Sequence, residues 1–203
     1  MLPLSRRSAR YSQLVIRKSV TFFPARLRCA LVFYRKRALT TLEVSSSMKA
    51  LVVYYSRTGN TKSVAEEIAA ELGADVDEVV DLKKREGRMG YLSASIDATS
   101  NRETNISETK KNPADYDLIV IGTPVWFYSP SSAIRTYIAK HDVSGKNVAL
   151  FFTCNGGPGG VVEKTKNLMP NAVFMGELIL AKPSQNKNET KKKIVEWCTT
   201  LRR

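Results

Sequence analysis

A polar segment that follows an apolar run has the residue types that bind a phosphate group. This segment is 56–61 (SRTGNT), which lies between the apolar run 48–55 and a helical pattern over 60–72. A helix N-terminus presents unpaired N–H groups and about half a positive charge, so it stabilises an anion. Hydroxyl and amide side chains add donors, and Gly59 lets the backbone approach a ligand closely. The segment therefore predicts a phosphate site, with the alternative that its hydroxyls only cap the helix.

The glycine pattern limits the kind of nucleotide that this segment could bind. The pattern GxxxxGK(S/T) of triphosphate-binding loops is absent, and a single glycine does not make the GxGxxG of dinucleotide sites. We therefore expect a ligand with one terminal phosphate.

An aromatic segment, 123–129 (TPVWFYS), follows a second apolar run. Three aromatic rings in a loop leave apolar surface in water unless they cover a flat group. Trp126 and Tyr128 are the better candidates for stacking on such a group, although one or two of the three rings could instead close the core. The segment predicts contact with a planar ring.

A glycine-rich segment, 153–160 (TCNGGPGG), follows a third apolar run and has four glycines within five positions. Glycines there allow backbone N–H groups to approach the polar edge of a ring and stabilise negative charge on it. The alternative is a flexible turn. Cys154 has no His or Cys near it in the sequence, so a packing role is favoured over a nucleophile.

The order of apolar runs and amphipathic patterns predicts the fold that positions these segments. Strands and helices alternate, which indicates a parallel sheet with helices on both faces. Ligands of such a sheet bind outside the carboxyl ends of the strands, where all three segments fall. The predicted strands are 48–55, 75–82, 117–123, 147–153 and 172–181, and the predicted helices are 60–72, 131–140, 161–169 and 187–201. The structure of 83–113 stays open, apart from a short helix near 91–98.

Two of the segments resemble those of the flavodoxin family. SRTGNT matches the phosphate-loop pattern (S/T)-x-(S/T)-G-x-T, and PVW is similar to the ring-contacting loop of short flavodoxin-like proteins. The resemblance covers 48–203 and implies a flavodoxin-like three-layer α/β sandwich. Its five-stranded parallel sheet would have the order 2-1-3-4-5, with FMN where that order reverses. The residues implied to bind FMN are Ser56, Arg57, Thr58, Gly59, Asn60, Thr61, Pro124, Val125, Trp126, Phe127, Tyr128, Ser129, Cys154, Asn155, Gly156, Gly157 and Gly159.

The bulk composition is that of one soluble globular domain. The chain has 203 residues, of which 43% are hydrophobic and 25% charged. No apolar run approaches the roughly 20 residues of a membrane span. The three cysteines, Cys29, Cys154 and Cys198, are too widely spaced for a disulfide framework or a CxxC motif, which favours the reducing cytoplasm. His141 has no metal-binding partner near it, so we expect a surface residue near a helix end and assign no metal ligand.

Residues 1–47 form a basic extension that the predicted fold does not need. They contain ten Lys or Arg and one acid, Glu43, in a chain whose net charge is +13. Upstream sequence included by a misassigned start is the favoured interpretation, followed by a transit peptide and then by a disordered nucleic-acid-binding arm. We expect 48–203 to fold and to bind FMN without the extension, and nucleic acid is not an expected partner.

The resemblance leaves three classes of function open. The first is an FMN-binding redox protein that carries electrons between a reductase and an acceptor, which is a partner protein or a small molecule such as a quinone. The second is an NAD(P)H-dependent FMN oxidoreductase of the quinone reductase type. The third is a non-catalytic regulatory or nucleic-acid-binding module with the same fold. We assign no catalytic residue.

The aromatic segment also leads to an expectation about redox behaviour. No glycine lies between Thr123 and Ser132. A positive φ costs a residue other than glycine roughly 1–2 kcal/mol. We therefore expect this loop to avoid positive φ and to lack the flipped peptide with which one-electron flavodoxins accept the N5 proton of the semiquinone. Because the backbone amides of 156–160 and the mildly basic charge of 48–203 also favour the fully reduced flavin, we expect reduction mainly in one two-electron step.

Overall fold

The computed structural model describes residues 48–83 and 103–202, in which strands and helices alternate. The strands are β1 (Ala50–Tyr54), β2 (Asp75–Glu78), β3 (Leu118–Trp126), β4 (Ser129–Pro130), β5 (Asn147–Cys154) and β6 (Val173–Ala181). The helices are α1 (Asn60–Leu72), α2 (Ser132–Lys140), α3 (Val161–Lys166) and α4 (Lys187–Leu201), with a 3-10 turn at Pro113–Asp115. The extension 1–47 and the helix predicted near 91–98 lie outside the described residues.

Five of the strands form a parallel sheet in the order β2-β1-β3-β5-β6. The two-residue strand β4 lies off this path and pairs antiparallel with the end of β3. The five parallel strands therefore have the predicted order 2-1-3-4-5, and the fold prediction is confirmed. The order reverses between β1 and β3, so the segments that follow these two strands lie at the point where such sheets bind ligands.

Helices cover both faces of the sheet and make two separate hydrophobic cores. On one face α1 and α4 pack against the strands through residues that include Ile68 and Ile194. On the other face α2 and α3 contribute Ile134, Tyr137 and Val161. All five residues of β1 are buried, as expected for a central strand that is covered on both sides. The result is a three-layer sandwich.

Two elements end earlier than the sequence predicts. Helix α3 ends at Lys166 because the chain then tightens, with Leu168 N donating to Thr165 O in a three-residue turn. Strand β2 is also short, and beyond it Asp81 only makes an isolated antiparallel bridge with Ile106. The end of α3 lies at the opposite edge of the sheet, where β6 begins beside the start of β5. β2 does end at the carboxyl edge, but it is the outermost strand and none of the three candidate segments follows it.

An acidic side chain of β2 is tied to the turn before β3 and predicts a pH dependence. Asp75 Oδ2 accepts hydrogen bonds from Tyr116 Oη at 2.6 Å and from Lys111 Nζ at 3.4 Å. The Tyr116 hydroxyl, more than Lys111, lowers the pKa of Asp75, while the same bond raises the pKa of Tyr116 to about 12. A carboxyl whose folded pKa is lowered stabilises the protein above its unfolded pKa, and this contribution is lost as pH falls through the folded pKa.

We therefore expect Tyr116→Phe to raise the pKa of Asp75 toward its ordinary value. The variant should also lose stability at neutral pH relative to the wild type, and the two should converge at acid pH, where the carboxyl is protonated in both. NMR titration of the Asp75 carboxyl and urea unfolding across the pH range would measure these effects. In an Asp75→Asn background the same substitution should no longer change the pH dependence, and an unchanged Asp75 titration in Tyr116→Phe would contradict the prediction.

Candidate functional site

The turn after β1 leaves the N-terminus of α1 without a side-chain cap. The N-cap residue is Gly59, at φ 87°, and among the residues that the structure describes no side chain caps the first N–H groups of the helix. Ser56 Oγ instead accepts from Gly59 N at 3.1 Å, which stabilises the turn before the helix. The alternative that the hydroxyls of 56–61 serve as the helix cap does not describe this turn. Uncapped N–H groups at the positive end of a helix dipole suit a phosphate group.

A cavity of about 390 Å³ lies at the carboxyl edge of the sheet, beside this helix N-terminus, and its volume falls within the range of small-molecule sites. The predicted site residues that line it are Arg57, Thr58, Asn60, Thr61, Pro124, Val125, Trp126, Phe127, Tyr128, Cys154, Asn155, Gly156 and Gly157. The predicted site residues outside the lining are Ser56, Gly59, Ser129 and Gly159. The three segments, which are far apart in the sequence, thus meet around one cavity.

Two lining residues were not among the predicted site residues. Thr153 is the next-to-last residue of β5 and pairs with Pro124. Its hydroxyl lies 2.8 Å from the Thr61 hydroxyl, so this strand and the start of α1 share one hydrogen bond. Pro183 enters the cavity wall because Lys182, at φ 48°, turns the chain after β6 and donates its N–H to Cys154 O. Thr153 could have been predicted as a site residue, because it is the last residue of the predicted strand 147–153, which leads into the glycine-rich segment. Pro183 had none.

The aromatic segment forms a tight hairpin rather than an open loop. Trp126 pairs with Ser129 across β3 and β4, so Phe127 and Tyr128 are the two turn residues. Both have positive φ, 46° and 58°, as in a type I′ turn, where Asn and Gly are usual. Left-handed backbone costs a residue with a side chain roughly 1–2 kcal/mol. The expectation that a glycine-free loop avoids positive φ is therefore wrong, and the two-electron expectation loses that support.

The three aromatic rings of the hairpin have different environments. Trp126 is buried and meets the Tyr55 ring edge-on, with ring centroids 5.6 Å apart. Phe127 and Tyr128 keep 56% and 58% of their surface exposed. The core-closing alternative thus describes Trp126, which still lines the cavity, while the other two rings offer apolar surface at its mouth.

The glycine-rich segment supplies backbone to the cavity and supports the hairpin. Gly159 lies directly beneath the Tyr128 ring, and a Cβ on it would come within 2.2 Å of that ring. Cys154 is buried, its Sγ donates to Gly156 O at 3.0 Å, and burial raises the pKa of its thiol. A thiol that is held protonated and hydrogen-bonded in this way supports the packing role predicted for it.

His141 is the C-cap residue of α2 and does not line the candidate cavity. Its Nδ1 lies 2.9 Å from Tyr137 O, its Nε2 lies 3.2 Å from Thr109 Oγ1, and its ring stacks on that of Tyr137. It is therefore a partly exposed residue at a helix C-terminus, where the sequence predicts it, and its ring has defined partners there. Within 48–83 and 103–202 there is no group of side chains that could hold a metal ion, and no helix there is long and apolar enough to span a membrane.

The cavity as a whole suits a ligand with an anionic end and a flat end. Its lining combines the start of α1 and the hydroxyls of Thr58 and Thr61 with the aromatic hairpin and the backbone of Gly156 and Gly157. Among the described residues that line the cavity, Arg57 is the charged one. These features define a nucleotide-binding α/β protein with a parallel sheet, whose site lies at the reversal of strand order.

Comparison with known proteins agrees with this class. The family model described as Flavodoxin matches residues 49–201. A flavoprotein from Lactobacillus acidophilus, solved in complex with FMN, is 26% identical and superposes with a TM-score of 0.58 over 70% of this chain and 97% of that one. Flavodoxin 1 of Salmonella typhimurium and Flavodoxin 1 of Escherichia coli K12 are each 27% identical over 104 residues, which is 49% of this chain and 46% of theirs.

The match to the family model extends over most of the chain, from the start of the parallel sheet to the end of α4. The chain spans about half the length of the curated relatives it matches. The chain belongs to the flavodoxin family, and the family resemblance predicted from the sequence is confirmed.

Proposed function

We propose that this flavodoxin-family protein carries electrons between a reductase and an acceptor through FMN bound in the cavity at the carboxyl edge of the sheet. FMN, the cofactor predicted from the sequence, is confirmed by the family match and by the flavoprotein structure in complex with FMN. The observation that carries the proposal is the juxtaposition, around one cavity, of an uncapped helix N-terminus and exposed aromatic rings. FMN supplies reversible uptake of electrons at its ring system.

Each wall of the cavity has a separate task in this proposal. The N–H groups at the start of α1 and the hydroxyls of Thr58 and Thr61 hold the phosphate, and Arg57 adds positive charge on the same side. The aromatic hairpin covers the flat ring system, and the backbone of Gly156 and Gly157 approaches its polar edge. The side chains around the ring are mostly apolar, so they exclude water from it without supplying an acid or a base.

A second candidate is an NAD(P)H-dependent FMN oxidoreductase that reduces a quinone. The exposed rings of Phe127 and Tyr128 favour it, because they leave a flat apolar surface at the mouth of the cavity on which a small planar acceptor could stack. The carrier and the oxidoreductase differ in their electron donor. A carrier receives them from a reductase protein, whereas an oxidoreductase takes them from NAD(P)H directly.

The cytoplasm is the compartment that we propose for this protein. The two cysteines in the described part of the chain, Cys154 and Cys198, are buried free thiols. Such thiols persist in a reducing compartment.

The full-length protein should be yellow when purified and should release FMN on denaturation. Under anaerobic conditions we expect slow bleaching with NADH or NADPH alone and fast bleaching when an NADPH-dependent flavoprotein reductase is added. Rapid NAD(P)H oxidation that depends on a naphthoquinone, without any reductase, would assign the oxidoreductase function instead. Apoprotein that fails to bind FMN at micromolar concentration would contradict both functions.

A further inference from the structure

A lysine of α3 is bonded to the back of the aromatic hairpin. Lys164 Nζ donates to Ser129 Oγ at 3.0 Å, and Ser129 Oγ in turn donates to Phe127 O at 3.4 Å. A hydroxyl can accept one hydrogen bond and donate another, so the three groups form a continuous chain. Ser129 is 2% exposed, which means that its hydroxyl depends on these two partners rather than on water.

The hairpin needs such support because its two turn residues are in an unfavourable conformation. Phe127 and Tyr128 have positive φ without being glycine, and such residues persist only where the surroundings fix them. Two contacts do this, and both come from one short segment of chain. Gly159 lies beneath the Tyr128 ring, and Lys164, at the next turn of chain, bonds to Ser129.

We propose that Lys164 is a positioning residue for the cofactor site. It acts through Ser129 to hold the Phe127–Tyr128 turn in its left-handed conformation at the cavity. The inference rests on FMN binding in that cavity. Lys164 does not line the cavity itself, so its effect on the ligand must pass through the hairpin. Its loss should therefore let the turn relax and weaken the cover over the flat end of the ligand.

Two single variants and their combination test this chain of hydrogen bonds. Lys164→Met removes the donor, and Ser129→Ala removes the acceptor while leaving the positive charge in place. We expect each variant to release FMN about fivefold faster than the wild type, measured by the recovery of flavin fluorescence. The double variant should also be about fivefold faster, rather than about 25-fold, because both changes break the same chain. Effects that multiply in the double variant would overturn the proposal.

Lys166→Met is the matched control. Lys166 lies on the same helix but pairs with Glu177 at 3.1 Å, on the side of β6. The Lys166→Met substitution removes the same charge without changing the hairpin, so its FMN release rate should equal that of the wild type. Lys164→Arg keeps a donor at position 164, so it should release FMN at a rate close to that of the wild type. The effect of Lys164→Met should persist at high salt, because a direct hydrogen bond is screened less than a distant charge. An effect that disappears with salt would overturn the positioning role.

A readout that needs no FMN separates this inference from the proposed function. In apoprotein, the backbone amides of 126–129 should exchange hydrogen faster in Lys164→Met than in the wild type or in Lys166→Met. Urea unfolding should show similar global stability for the two lysine variants. Unchanged exchange in the hairpin would overturn the inference even if FMN binds, and faster exchange would support it even if FMN does not bind.

Discussion

Replacing Gly122 by alanine should destabilise the folded protein by about 3 kcal/mol, at the upper end of the usual cost of overpacking a core. Gly122 in β3 lies directly opposite Phe151 in β5. A Cβ on Gly122 would lie 2.0 Å from Cζ of that ring, and the ring is fully buried. The ring has no solvent-facing side to move toward, so either the two strands separate or the ring distorts the core. Urea unfolding of the variant measures the loss.

Gly157→Ala is the control for this substitution. A Cβ on Gly157 would meet no atom within 4 Å, and its φ is not in the left-handed region, so the free energy of unfolding should stay close to that of the wild type. Replacing Phe151 by leucine in the Gly122→Ala variant should recover part of the loss, because the smaller side chain vacates the space that the new methyl group needs. Full stability in Gly122→Ala alone would show that the ring is not held as the structure places it.

The parallel sheet could be predicted from the sequence because its strands are buried on both faces. A strand such as β1 has no polar face, so it stands out as a continuous apolar run between polar turns. Helix α1 could be predicted in the same way, because Val64 and Ile68 lie on one buried stripe and the C-cap residue is Gly73 in the left-handed conformation. Local patterns of this kind depend on neighbours in the sequence, which is why their positions agree with the structure.

The hairpin at the aromatic segment could not be predicted in this way. A type I′ turn is normally signalled by Asn or Gly, and here Phe127 and Tyr128 occupy those positions. What fixes the turn comes from a distant part of the chain, namely the space over Gly159 and the hydrogen bond from Lys164. Contacts between residues that are some thirty positions apart leave no periodic signal in the sequence.

Part of the candidate site could likewise be predicted from the sequence, and part of it could not. Residues in the segments after strands, such as Thr58 and Asn155, could be predicted because parallel strands bring their carboxyl ends to one edge. The Thr61–Thr153 hydrogen bond joins the start of α1, which follows β1, to β5, which lies two places from β1 in the sheet. The distance between them is set by the packing of α1 on the sheet and leaves no pattern in the sequence. Which residues touch the cofactor stays a prediction for binding experiments.

Replacing Thr58 and Thr61 together by alanine should raise the dissociation constant for FMN by about 100-fold or more, because hydrogen bonds to charged groups contribute about 1.5–3 kcal/mol each and about 1.4 kcal/mol corresponds to tenfold. Both side chains line the cavity at the N-terminus of α1, where the helix lacks a side-chain cap. Thr61 also shares a buried hydrogen bond with Thr153, so part of its effect should appear as a loss of about 1 kcal/mol in the stability of the apoprotein.

Titration of apoprotein with FMN, followed by the quenching of flavin fluorescence, measures this affinity, and urea unfolding of the apoprotein measures the stability part separately. Ser63→Ala is the matched control, because Ser63 lies in the first turn of the same helix but is exposed and outside the cavity lining. It should leave FMN affinity unchanged. If the Thr58 and Thr61 double variant binds FMN as tightly as the Ser63 control, the phosphate is held elsewhere. The uncapped helix N-terminus would then need another explanation, since its N–H groups would remain unsatisfied by side chain and cofactor alike.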